Sequence, residues 1–141
     1  MKVTLSFDNG PTETTAEVLD VLADRGIKAT FFVVGEQLSR PDARTLTERA
    51  EADGHWIGNR TMTHSVQFGD HDDPELAARE IGAAEDVIGP LAHPDKLFRP
   101  YAGGGVLDRR VFSTAAIDYL QRHRYTCVLW TSVPHDWDSP E

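Results

Sequence analysis

"IKATFFVVG", residues 27–35, decides the fold. From Ala29 onward it is a β-branched and aromatic run with no polar alternation, which suits a strand covered on both faces. Helical patterns flank it. In "ETTAEVLDVLADR" (13–25), Val18, Leu19, Leu22 and Ala23 fall on one stripe, and Gly26 stops the helix. Residues 42–53 read as a second helix, ended by Gly54. The same alternation continues in both directions. Strands are expected at "VTLSF" (3–7), "HWIGN" (55–59), "LFRP" (97–100) and "YTCVLW" (125–130). Helices are expected over 73–89, with Asp72 or Asp73 as N-cap and Pro74 in the first turn, and over 113–123. Strands recurring after a helix imply parallel pairing through right-handed crossovers. The pattern fits an open doubly wound sheet or part of a (β/α) barrel, and in both the site lies at the carboxyl ends of the strands. There is no internal repeat or linker, so residues 1–141 read as one domain.

The composition, 40% apolar and 26% charged, is that of a globular chain, and the formal charge of −9 argues against a nucleic-acid binder or a protein that docks on anionic lipid. No run approaches the roughly 20 apolar residues of a membrane helix. The lone Cys127 excludes a disulfide within the chain, and its apolar surroundings predict a small buried core residue. "MKVTLSFDNG" lacks the h-region of a signal peptide, so the chain as written reads as cytoplasmic; a secreted or periplasmic location stays open to a chain whose export signal has been removed.

The residues after each strand carry the chemistry. Strand one ends in "FDNGP", with Asp8 and Asn9 before a tight Gly10–Pro11 turn. Strand three leads into "NRTMTH", strand four into "RPYAGGG" and strand five into "TSVPHDW". Four polar strand ends on one rim make a catalytic or binding cleft. Within "HWIGNRTMTHS" (55–65), a His-x-x-x-His pair would suggest zinc, because two imidazoles from one short loop can share a tetrahedral ion. Here Arg60 stands four residues before His64, where the first imidazole would be.

Those four stretches, in that order, resemble the NodB-like polysaccharide deacetylases, whose pattern runs T-F-D-D-G-P, H-[ST]-x-x-H, R-P-P-Y, D-x-x-D-W and L-x-H. The corresponding segments are "SFDNGP" (6–11), "RTMTH" (60–64), "RPYAGG" (99–104) and "VPHDW" (133–137), and "RGIKATFFVVG" and "GHWIGN" are also typical. The resemblance implies a deformed parallel (β/α) barrel of about seven strands, one divalent metal such as zinc, and removal of acetyl groups from N- or O-acetylated sugars. It assigns Asp8 as general base, His64 as a metal ligand with Asn9 as a weak second one, and Arg99 as the partner that orients Asp8. Asp136 would anchor Arg99, Trp137 would wall the acetyl pocket, and Tyr101 would donate its backbone N–H to the oxyanion.

This sequence departs from the pattern at three places. Asn9 offers a neutral oxygen where the family has a carboxylate. Arg60 offers no lone pair and keeps its charge; a dication about 4 Å away at an effective dielectric near 20 would meet roughly 8 kcal/mol of repulsion. The L-x-H motif, which would carry the catalytic acid, is not in the sequence, so a barrel truncated at its C-terminal side is expected, with an open edge that invites pairing with a second copy. Three functional readings follow: a metal-dependent carbohydrate deacetylase with impaired activity, a non-catalytic carbohydrate-binding relative, or a metal-independent hydrolase of cyclic amides.

Overall fold

All neighbouring strands run parallel, in the order β1-β2-β3-β4-β5, in a computed structural model that describes residues 2–135 and Asp138. The strands are β1 (Leu5–Gly10), β2 (Ala29–Val33), β3 (Trp56–Asn59), β4 (Leu97–Phe98) and β5 (Thr126–Cys127). The helices between them are α1 (Thr15–Asp24), α2 (Pro41–Ala52), α3 (Ala83–Ile88) and α4 (Thr114–Arg122). The parallel α/β architecture expected from the alternation is the one observed, with strand order following chain order.

Strand parity sorts the side chains into two faces. Phe31, Val33 and Ile57 face α1 and α2, where they bury Leu19, Leu22 and Ala50, and Phe7 stacks on Phe31 at 5.1 Å between ring centroids. Phe98 lies in a second cluster with Phe68, Ile81, Ala116 and Leu120. The opposite face carries Ser6, Asp8, Phe32 and Arg99, whose side chains meet one another. Gly58 is required on that face: a Cβ there would lie 2.6 Å from the Phe32 ring.

Three details differ from expectation. The helix expected over 73–89 becomes a π-helical turn at Ala78–Gly82 that continues as α3. Asp73 instead caps a turn, accepting the Glu75 N–H at 2.9 Å, and pairs with Arg79. The strand expected over 125–130 is only two residues long, because it ladders onto a two-residue β4 that stops short of Pro100, which has no N–H. Cys127 is exposed rather than buried, since β5 lies at the sheet edge. No helix among the described residues is long and apolar enough to cross a membrane.

Candidate functional site

Asp8 stands at the carboxyl end of β1, on the face opposite Phe7, just before a bulge that shifts the β1–β2 register between Asp8 and Gly10. Asn9, the bulged residue, has a left-handed φ of 69°. Arg99 follows β4 and reaches across the sheet: its Nη1 donates to Asp8 Oδ1 at 2.7 Å and to Ser6 Oγ at 2.8 Å. Its Nε donates to the Val128 carbonyl at 3.0 Å and its Nη2 to the Leu129 carbonyl at 3.3 Å. The guanidinium lies 4.0 Å from the Phe32 ring and 5.2 Å from the Trp130 ring. A cation with every donor group bonded and aromatic faces on it is fixed in place.

Arg60 follows β3 and is as buried as Arg99. Its Nη1 donates to the carbonyls of Arg99 and Pro100. Its Nε lies 3.5 Å from Asp8 Oδ2 and, though buried, makes no hydrogen bond among the described residues. Burial, chiefly, pulls the Arg60 guanidinium down to about 10; Asp8 opposes the shift and Arg99 adds to it. At neutral pH it stays charged. Asp8 therefore sits between two guanidinium groups, one on each oxygen.

His64 is held by its loop. Its backbone N–H donates to Thr61 Oγ1 at 3.0 Å, and both Thr61 and His64 have left-handed φ values, 71° and 54°. The imidazole meets the Tyr101 ring edge-on at 4.9 Å. Its buried Nε2 has no hydrogen-bond partner among the described residues. Burial first, and then the Arg60 charge, push its pKa down to about 4, so the ring is neutral at pH 7.

Asp8, Asn9, Arg60 and Arg99 line one cavity of about 790 Å³, together with Trp130 and His135. His64 and Tyr101 do not line it. Asp136 and Trp137, expected to anchor Arg99 and to wall the pocket, lie outside the described residues. Within the described part, carbonyls of 128 and 129 and Ser6 hold Arg99.

Several supporting residues escaped the sequence reading. Ser6 was findable, since it shares Asp8's strand parity. Glu80 and Asn59 were not. The Glu80 carboxylate accepts the Thr63 N–H at 3.0 Å and the Thr63 hydroxyl at 3.0 Å, while its backbone carbonyl accepts the Met62 N–H at 2.8 Å. Asn59 accepts the Thr61 N–H at 2.9 Å and donates to the Ile81 carbonyl at 2.9 Å. Together they clamp the loop from Arg60 to His64 onto the π turn, a local irregularity often tied to function.

Among the described residues the donor set does not fit a divalent metal. Among the described residues no three His, Cys, Asp or Glu side chains gather to hold one. Both oxygens of Asp8 already face guanidinium groups, Oδ1 that of Arg99 at 2.7 Å and Oδ2 that of Arg60 at 3.5 Å. One imidazole and one neutral amide remain, beside a fixed positive charge.

Residues 1–128 match the family model described as polysaccharide deacetylase. The chain belongs to the polysaccharide deacetylase family. Over 140 residues it is 36% identical to a chitooligosaccharide deacetylase of Sinorhizobium fredii, covering 98% of this chain and 60% of that protein. It is 33% identical to a peptidoglycan-N-acetylglucosamine deacetylase of Bacillus cereus, covering 98% of this chain and 61% of the relative. The crystal structure of a polysaccharide deacetylase from Bacillus cereus superposes with a TM-score of 0.74 at 26% identity, covering 96% of this chain and 62% of that one. The chain thus spans about three fifths of the length of these family members.

Proposed function

We propose that this family domain binds acetylated sugars of the N-acetylglucosamine type in the cleft at the carboxyl ends of its strands, and that it releases acetate slowly or not at all. The observation that carries the reading is Asp8 held between Arg99 and Arg60. An acetamido group presents one N–H donor and one carbonyl acceptor. Asp8 supplies the acceptor for the first and the Arg60 guanidinium a donor for the second. Trp130 offers an aromatic face to a sugar ring. The names of the relatives support the sugar class, since they are chitooligosaccharide and peptidoglycan N-acetylglucosamine deacetylases.

Arg60 takes the cation's place in this reading. It polarises a carbonyl as a fixed charge but brings no activated water, so the step that attacks an amide lacks its nucleophile. Asp8 and Arg99 orient the ligand, with Asn9 at the rim, His64 and Tyr101 behind Arg60, and Asp136 and Trp137 assigned by resemblance alone.

Incubation with N-acetylchitotetraose tests it. Saturable binding by NMR is expected, with acetate release near background and unchanged by added zinc or by a chelator. Rapid acetate release that a chelator abolishes would replace this reading with metal-dependent deacetylation.

A further inference from the structure

The loop that leaves β4 holds a strained residue. Ala102 adopts φ 64° and ψ −164°, a conformation that glycine takes freely and residues with a Cβ almost never do. Such strain persists only where the surroundings over-determine the backbone. Downstream, the chain is wedged. A Cβ at Gly103 would lie 2.7 Å from Val111 Cγ2, and one at Gly105 would lie 2.5 Å from the Trp130 carbonyl oxygen and 3.2 Å from Trp130 Nε1. The Val106 N–H closes the turn on the Gly103 carbonyl at 2.8 Å.

Upstream, the hold is Arg60. Its Nη1 donates to the carbonyls of Arg99 and Pro100, the two residues before Tyr101. No other hydrogen bond among the described residues reaches either carbonyl. Tyr101 adds an edge-on ring contact with His64, which follows Arg60 on the same loop. A buried hydrogen bond from a guanidinium is stronger than one between neutral groups, and this one acts at the point from which the β4 loop departs. A backbone fixed at Pro100 and again at Gly103 leaves Ala102 no room to relax.

We propose that Arg60 is a positioning residue for the wall of the cleft: by gripping the Arg99 and Pro100 carbonyls it keeps Ala102 in its strained conformation and seats the glycine turn against Trp130. Gly104 and Trp130 both line the cavity, so the turn sets where the indole stands. This role is distinct from the charge that Arg60 sets beside Asp8. It concerns the backbone, and it does not depend on which ligand occupies the cleft. Only the binding arm of the test rests on the reading of the cleft as a sugar site.

The test is a double-mutant cycle on the intact chain. Arg60→Met fills much of the same space without donating, and Ala102→Gly allows the same φ without strain. Ala102→Gly should raise the urea midpoint of the parent and raise it less in the Arg60→Met background, where the loop has already relaxed. The Trp130 indole N–H, assigned in NMR spectra by its absence in Trp130→Phe, should shift in Arg60→Met and return toward its parent position in the double variant. Binding of N-acetylchitotetraose should weaken about tenfold in Arg60→Met, and the double variant should regain part of it. Arg60→Lys, which keeps the charge but not the fork, serves in the same cycle if Arg60→Met does not fold. Equal rises in both backgrounds, no rise in the parent, or an indole signal unmoved in a folded Arg60 variant overturns the proposal. If the sugar binds neither the parent nor any variant, the sugar-site reading falls, and the midpoints and the indole signal still decide the role of Arg60.

Discussion

Arg60 Nε lies 3.5 Å from Asp8 Oδ2, the oxygen opposite the one that Arg99 holds at 2.7 Å. Strand parity and the Asp8 bulge bring these groups together from β1, the end of β3 and the end of β4. The arrangement makes Asp8 the keystone of two buried cations, and its removal is felt by both.

Asp8→Asn keeps the shape and removes the charge, leaving two buried guanidinium groups facing an amide. Breaking a buried ion pair costs about 3–5 kcal/mol. A loss of that order is expected in urea unfolding. Asp20→Asn, whose pair with Arg49 is exposed, should leave stability close to that of the parent chain. Similar behaviour of the two variants would contradict the burial argument.

Arg60→His should raise zinc affinity, because it removes a like charge and places an imidazole four residues before His64. Asn9→Asp alone should raise it less, since the new carboxylate still competes for zinc beside the guanidinium. The double variant should exceed the sum, with coupling of the ~0.5–3 kcal/mol common between contacting residues. Zinc calorimetry on the four proteins checks the order. Equal affinity in all four would mean that Arg60 does not govern the cation site.

Much of this was legible in the sequence, and what was not has identifiable causes. The parallel order follows from "ATFFV", whose unbroken apolar run leaves no solvent face. The rim residues Asp8, Arg60 and Arg99 could be found because each directly follows or ends a strand. Glu80 could not, because its role arises from a π turn that no periodicity announces. Trp130, at the end of an apolar run, read as strand, whereas β5 ends at Cys127 and Trp130 turns its ring toward Arg99. Cys127 was misjudged because apolar neighbours in sequence do not reveal that a strand lies at an edge.

Glu80→Ala should loosen the loop that carries His64. It removes the acceptor of the part-buried Thr63 N–H and one of the two partners of the Thr63 hydroxyl, which keeps Ser65 Oγ at 2.7 Å, so a loss of about 1 kcal/mol is expected. Glu80→Gln keeps one acceptor oxygen and should recover part of the loss. The His64 imidazole signal in NMR provides a readout that global stability does not: in Glu80→Ala its titration should move up toward the ordinary value of about 6.5. An unmoved titration in a folded variant would show that Glu80 does not position His64.

His55 gives the fold an acid sensitivity remote from the cleft. Its Nδ1 accepts the Ala29 N–H at 3.1 Å, so the ring must be neutral at that nitrogen, and burial, chiefly, lowers its pKa. The unfolded chain takes up this proton near pH 6.5 and the folded chain only below that. The contribution is therefore complete above about pH 6.5 and declines as the pH falls toward the lowered folded value. Urea midpoints measured from pH 8 to pH 5 should show a drop that His55→Gln flattens. A slope unchanged by that substitution would assign the effect elsewhere.

Gly58 has no functional group, yet its missing side chain lets the Phe32 ring occupy the space beneath the Arg99 guanidinium. In a saturation scan read out by sugar binding, position 58 would therefore score like a ligand-contacting residue. Even alanine would displace the ring, and with it the cation that orients Asp8. Selection for binding would then preserve an absence, and the tolerance map of the domain would mark a site by the atoms it must not contain.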